Sequence, residues 1–152
     1  MTEAKELLQG MRDAQAELGM LRLRRDSLQA SIARAKSIQT RDPDMNVQTS
    51  RDTCDHMGEV AAEIVDIETD MKRLERILRA DRQRVHHIIP YLGRDERAIV
   101  RLYFLRPVTN KEGDLRTWQD VEDLMHLSHT AVMQRRRKVF DDVNRVIEER
   151  GI

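Results

Sequence analysis

Thr117 to Ile147 reads TWQDVEDLMHLSHTAVMQRRRKVFDDVNRVI, and this stretch decides the fold. Thr117 opens a short amphipathic helix. Its hydroxyl can accept from a free N–H of the first turn, and Asp120 can reach back to the Thr117 amide, which approximates a capping box. Val121, Leu124 and Met125 make the inward face. His126-Leu127-Ser128 is a turn, and Ser128 caps a longer helix. The buried stripe of that helix is Val132, Val139, Val143 and Val146, widened by Phe140 and Ile147 at helical spacing. A basic run, Arg135-Arg136-Arg137-Lys138, lies inside it. Short helix, three-residue turn and longer helix form the layout of a helix-turn-helix.

Upstream, Pro107 ends an earlier helix, and PVTNKEGDLR (107–116) is a polar connection suited to a small turn or hairpin. Asp95 is expected to cap that earlier helix, Glu96 to about Arg106, whose apolar face is Ala98, Ile99, Leu102, Tyr103 and Leu105. Pro90 and Gly93 punctuate the chain before it. Two heptad seams precede this point. Leu7, Met11, Ala14, Leu18, Leu21, Arg25, Leu28, Ile32 and Ala35 step by four and three, and only Arg25 is polar. Met57, Val60, Ile64, Ile67, Met71, Leu74, Leu78, Asp81, Val85 and Ile88 do the same, with Asp81 the exception. Such steps are the signature of a coiled coil. Gln39 to Thr53 holds Pro43, is polar and shows no helical period, so it is expected to be the apex loop between antiparallel helices. The first helix is expected over about Glu3 to Ser37. The register sets Arg22, Arg24 and Arg25 against the stretch with Asp66, Glu68 and Asp70. Leu8, Leu23, Val65, Ile77 and Ile89 lie off the seams and are free to pack a second hairpin or the C-terminal domain. The expectation is an all-α chain: residues 1–90 an antiparallel helical hairpin, residues 91–152 a helix-turn-helix domain.

Composition agrees with long helices. The chain has 152 residues, 36% of them charged and only 3% aromatic. Lys and Arg total 27, as do Asp and Glu, so any basic surface must be local rather than global. One cysteine, Cys54, excludes an intrachain disulfide. No apolar run approaches a membrane span, and the N-terminal segment lacks the apolar core of a signal peptide. These features predict a soluble protein of the cytoplasm. The five histidines, His56, His86, His87, His126 and His129, include no i,i+4 pair, and Cys54 has no CxxC partner, so no metal site is expected. No phosphate-binding glycine loop and no nucleophile motif is present. The expectation is a non-enzyme without a cofactor.

The face of the last helix opposite its valine stripe carries His129, Thr130, Met133, Gln134, Arg137 and Lys138. If that helix enters a major groove, Gln134 can pair with adenine and Arg137 with guanine. Lys138, with the hydroxyls of Thr117 and Ser128, suits phosphates, which position without specifying. Charge runs are usually solvated faces, and Asp141 and Asp142 stand where i,i+4 pairing could neutralise Arg137 and Lys138. Position favours the functional reading, because this run falls where a recognition helix is basic. Trp118 reads as a core anchor.

With these residues placed, the chain resembles a family of phage and prophage regulators. These combine a coiled-coil region with a C-terminal helix-turn-helix like region 4 of bacterial sigma factors, and the ArpU-like and RinA-like late-transcription activators look related. The resemblance rests on Val47-Gln48-Thr49-Ser50, Asp55-His56-Met57, Ile64-Val65-Asp66-Ile67-Glu68, Arg101-Leu102-Tyr103, Thr117-Trp118 and Leu127-Ser128 with Val132. It implies a transcription regulator that binds double-stranded DNA, with the hairpin for oligomerisation or contact with RNA polymerase; the apolar residues off the seams predict a homodimer. The chain departs from the pattern in four places, one of them the Arg106 to Arg116 connection, which is longer than typical. Glu122 stands where a small residue is usual, His126 where glycine is usual, and Arg135 where an apolar residue is usual. The alternatives are a small-terminase-like DNA-packaging factor, which predicts a ring, and a protein-interaction module built on a degenerate helix-turn-helix.

Overall fold

The computed structural model describes residues 3–41, 47–110 and 113–152, with side chains described for 3–37, 55–110 and 113–152. The regular structure is helical: α1 (Glu3–Arg41), α2 (Val47–Ile88), a 3-10 turn (Ile89–Tyr91), α3 (Arg94–Ile99), a π-helical segment (Val100–Leu105), α4 (Trp118–Met125) and α5 (His129–Arg150). No helix among the described residues is long and apolar enough to cross a membrane. Parts of the segment expected as the apex loop, Gln39 to Thr53, are helical instead. Gln39–Arg41 and Val47–Thr53 are helical, because extending an existing helix gains one hydrogen bond per residue fixed. Residues 42–46, which include Pro43, lie outside the described residues.

The chain divides into two compact units, Met1–Gly19 with Glu75–Ile152, and Met20–Leu74. In the Met20–Leu74 unit, Val60, Ile67, Met71 and Leu74 are buried, and the α1 seam positions Leu21, Leu28, Ile32 and Ala35 are half-buried. Arg24 Nε donates to Glu63 Oε1 at 2.9 Å across the two helices. Arg25 differs from its expected role. Its guanidinium turns to the adjacent Asp26 at 3.2 Å and rests 4.0 Å from Met71 Sδ. Met20, Leu23 and Val65 stay exposed at 72%, 52% and 60%.

The other unit holds the main core. Leu7, Leu8, Met11 and Leu18 from α1 are buried with Leu78, Val85 and Ile88 from α2. Of the off-seam residues, Leu8 and Ile89 are buried here, whereas Ile77 is 46% exposed. The first half of α1 is bound by polar contacts to α2, to the segment from Tyr103 to Arg116 and to α5. Ala4 N–H, one of the unpaired donors of the α1 N-terminus, donates to Asn144 Oδ1 on α5 at 2.8 Å. Arg84 Nη2 reaches Glu3 Oε1 at 2.7 Å, and Arg82 Nη2 reaches Gln15 Oε1 at 2.6 Å. Arg12 donates to the carbonyls of Tyr103 at 2.9 Å and Arg116 at 2.6 Å. Gly113, at φ 90°, lies so close to α1 that a Cβ on it would be 3.2 Å from Gly19 Cα. The described ends of the 107–116 connection are joined by an antiparallel bridge between Val108 and Leu115 and a Thr109 N–H to Asp114 carbonyl bond of 2.8 Å; residues 111 and 112 lie outside the described residues. At seam position Asp81, burial pushes the carboxyl pKa up, opposed by the nearby charge of Arg84.

α3 starts differently from expectation. Its N-cap is Gly93, and Asp95 and Glu96 lie inside the first turn. A Cβ at residue 93 would collide with Glu96 Oε2, so glycine leaves the room that the Glu96 carboxylate occupies. The helix then continues with π geometry, seen in the Arg106 N–H to Arg101 carbonyl bond of 2.9 Å. An i→i+5 turn takes in one residue more than an α-turn and rotates the phase of the side chains beyond it. Along this segment Val100, Phe104 and Leu105 are buried while Leu102 and Tyr103 are half-buried.

Candidate nucleic-acid interface

Local chemistry builds both ends of the α4–α5 turn as the sequence dictates. The capping box is complete: Thr117 Oγ1 accepts from Asp120 N–H at 3.2 Å, and Thr117 N–H donates to Asp120 Oδ2 at 2.9 Å. Ser128 Oγ accepts from Ala131 N–H at 3.2 Å. Each hydroxyl thus serves first as a cap. His126 ends α4 in the left-handed region at φ 56° and ψ 40°, the conformation for which glycine is usual. Val132, Val139, Val143, Val146 and Ile147 are buried, with Phe140 half-buried.

Leu124 is a correction. It is 55% exposed rather than inward-facing. The buried face of α4 is Val121 and Glu122, with Trp118 and Met125 half-buried one turn to either side; Leu124 falls outside that arc. Glu122, where a small residue would ease the helix contact, is accommodated by a partner. Its carboxylate, 9% exposed, meets His129 Nδ1 at 2.5 Å. His129 is therefore engaged with α4 although its ring is 73% exposed.

The basic run is partitioned by its surroundings. Arg135 pairs with Asp95 at 3.4 Å and with Glu96 at 3.3 Å. Arg136 lies over the rings of Trp118 and Phe140, 5.0 and 6.0 Å from their centres. Lys138 Nζ sits 3.4 Å from Glu96 Oε1. Arg137 pairs with none of the described residues. The acids expected to neutralise the run act elsewhere: Asp142 is buried and pairs with Arg145 at 3.4 Å, and Asp141 is exposed.

Five expected site residues, His129, Thr130, Met133, Gln134 and Arg137, line one shallow open groove of about 290 Å³ along α5. Gln134 and Arg137 are exposed and Met133 is half-buried. Thr117, Ser128 and Lys138 lie outside this groove. The sequence reading missed Glu96, whose place behind the run depends on how α3 crosses α5. It also missed an aromatic stack: the Tyr103 and Trp118 rings are parallel to within 18° with centres 3.7 Å apart, and Arg12 lies over Tyr103 at 3.7 Å. Trp118, expected as a core anchor, is half-buried in this stack. No group of His, Cys, Asp and Glu suited to a metal ion occurs among the described residues. No family model, curated protein or solved structure matches the chain.

Proposed function

We propose that the chain is a phage or prophage transcription regulator that binds double-stranded DNA through a helix-turn-helix formed by α4, the His126–Ser128 turn and α5. Its N-terminal portion, in this reading, is a long antiparallel coiled-coil hairpin that serves oligomerisation or contact with RNA polymerase. One observation carries the proposal. The first three turns of α5 present Thr130, Gln134 and Arg137 on a single exposed face, and among the described residues the last two have no internal partner that would hold them from a ligand. Exposed glutamine and arginine side chains with free planar donors are the groups that pair bidentately with adenine and guanine.

The division of the basic run refines the roles. Arg137 is the base- or phosphate-directed cation, Gln134 its neighbour in readout, and Arg135 and Arg136 act in packing. The test is binding of wild type and the Gln134→Ala/Arg137→Ala variant to a selected duplex. The double variant loses sequence preference, at about 1–3 kcal/mol for each bidentate pairing removed. Equal affinity and equal preference in both proteins would overturn the proposal and promote the interaction-module reading.

A further inference from the structure

The side chain of Glu96 is 3% exposed, yet it meets two cations of α5, Arg135 at 3.3 Å and Lys138 at 3.4 Å. Gly93 makes room for it, since any Cβ there would strike Oε2. Burial alone would push the carboxyl pKa up. Its own backbone amide, Lys138 and Arg135 outweigh that, and the pKa falls below the ordinary glutamate value. Glu96 is thus an anion at neutral pH, held directly behind the face proposed for DNA.

We infer that Glu96 is a positioning residue that works as a built-in counterion, neutralising Lys138 from the protein side and so setting the strength of the phosphodiester contact. The inference rests on the DNA-binding reading above. Affinity for a polyanion comes from counterions released per positive charge delivered. A lysine that already holds a buried carboxylate delivers little net charge. Lys138 is 55% exposed, so its ammonium can touch a phosphate while still paired, and the restraint is electrostatic rather than steric. Arg135, held by Asp95 as well as Glu96, is restrained twice over. Arg137 is therefore the cation of the run that reaches the duplex without a carboxylate partner among the described residues.

The experiment is duplex binding across a range of salt by the full chain, as wild type, Glu96→Gln, Glu96→Asp, Lys138→Gln and Glu96→Gln/Lys138→Gln. Glu96→Gln is expected to bind every duplex more tightly, by roughly fivefold at ~0.1 M salt, with a salt slope steeper by about one and unchanged base preference. Glu96→Asp keeps the charge but withdraws it by one methylene, and gives a smaller change in the same direction. Lys138→Gln alone barely alters the slope; in the Glu96→Gln background it abolishes the gain. A purely structural Glu96 would lower the melting temperature and weaken binding without steepening the slope. That result, or a gain that survives loss of Lys138, overturns the inference while leaving DNA binding intact. Absence of salt-dependent duplex binding by the wild type overturns both together.

Discussion

His126 adopts φ 56° at the end of α4, as the positive-φ residue other than glycine among the described residues. The strain arises because Cβ crowds the backbone in the left-handed region. It is tolerated because two hydrogen bonds hold the turn: the His126 N–H bonds to the Glu122 carbonyl, and the Leu127 N–H returns to the same oxygen at 3.2 Å. His126→Gly removes the crowding and is expected to stabilise the fold by about 1 kcal/mol, read as a higher urea midpoint with an unchanged slope. A lower midpoint would mean that the histidine ring makes a compensating contact. Glu122 teaches a related lesson. A carboxylate at a helix–helix contact would be costly if unpaired, and its bond to His129 offsets that cost. Glu122 and Arg135 are thus each met by partners, an imidazole for the first and a pair of acids on α3 for the second, while His126 is held by the two bonds to the Glu122 carbonyl.

At the scale of elements, the first turns of α1 are joined to the C-terminal helices by Arg12. Its guanidinium donates to two backbone carbonyls and covers the Tyr103 ring, which in turn stacks on Trp118, beneath Arg136 of α5. Burial lowers the Arg12 pKa, against the opposing influence of Tyr103 and Asp13. Such a planar fork is suited to two acceptors at once, and lysine lacks that geometry. Arg12→Met is expected to cost about 2–3 kcal/mol, since it strands two part-buried carbonyls and removes a charged donor. Arg12→Lys is expected to recover little of this. Chemical denaturation of the two variants checks both points; full recovery by lysine would show that charge alone matters there.

For the whole molecule, Met20, Leu23 and Val65 remain exposed at 72%, 52% and 60% in the Met20–Leu74 unit. Large apolar side chains left in water mark surfaces that another copy can cover. We propose that the chain is a homodimer, and light scattering at high micromolar concentration is expected to give twice the chain mass of 17.8 kDa. A monomer mass would remove the dimer, and a ring-sized mass would favour the packaging reading. Ile77, at 46% exposed, belongs to the other unit, so substitution of Leu23 and Val65 together is the sharper way to disturb association.

What the sequence determined by itself is what depends on neighbours along the chain. Helical periods marked α1, α2, α4 and α5, because a 3.6-residue repeat records which side of a helix meets apolar atoms. The caps at Thr117 and Ser128 were legible because a hydroxyl satisfies its own helix end. The valine stripe of α5 was legible for the same reason, and with it the opposite face that carries Gln134 and Arg137. Only the tertiary structure decided what lies behind each charge. Arg135, Arg136 and Lys138 look alike in a basic run, yet α3 assigns two of them to Glu96 and the Trp118 ring takes the third. The same holds for Asp95, which became a partner of Arg135 instead of a cap, and for Leu8, which entered the core while Leu23 stayed outside. The π-helical turn that buries Phe104 also escaped the pattern, since one added residue per turn shifts every later side chain. Ion pairs and packing across distant segments depend on distances between elements, and a repeat within one element carries no record of them.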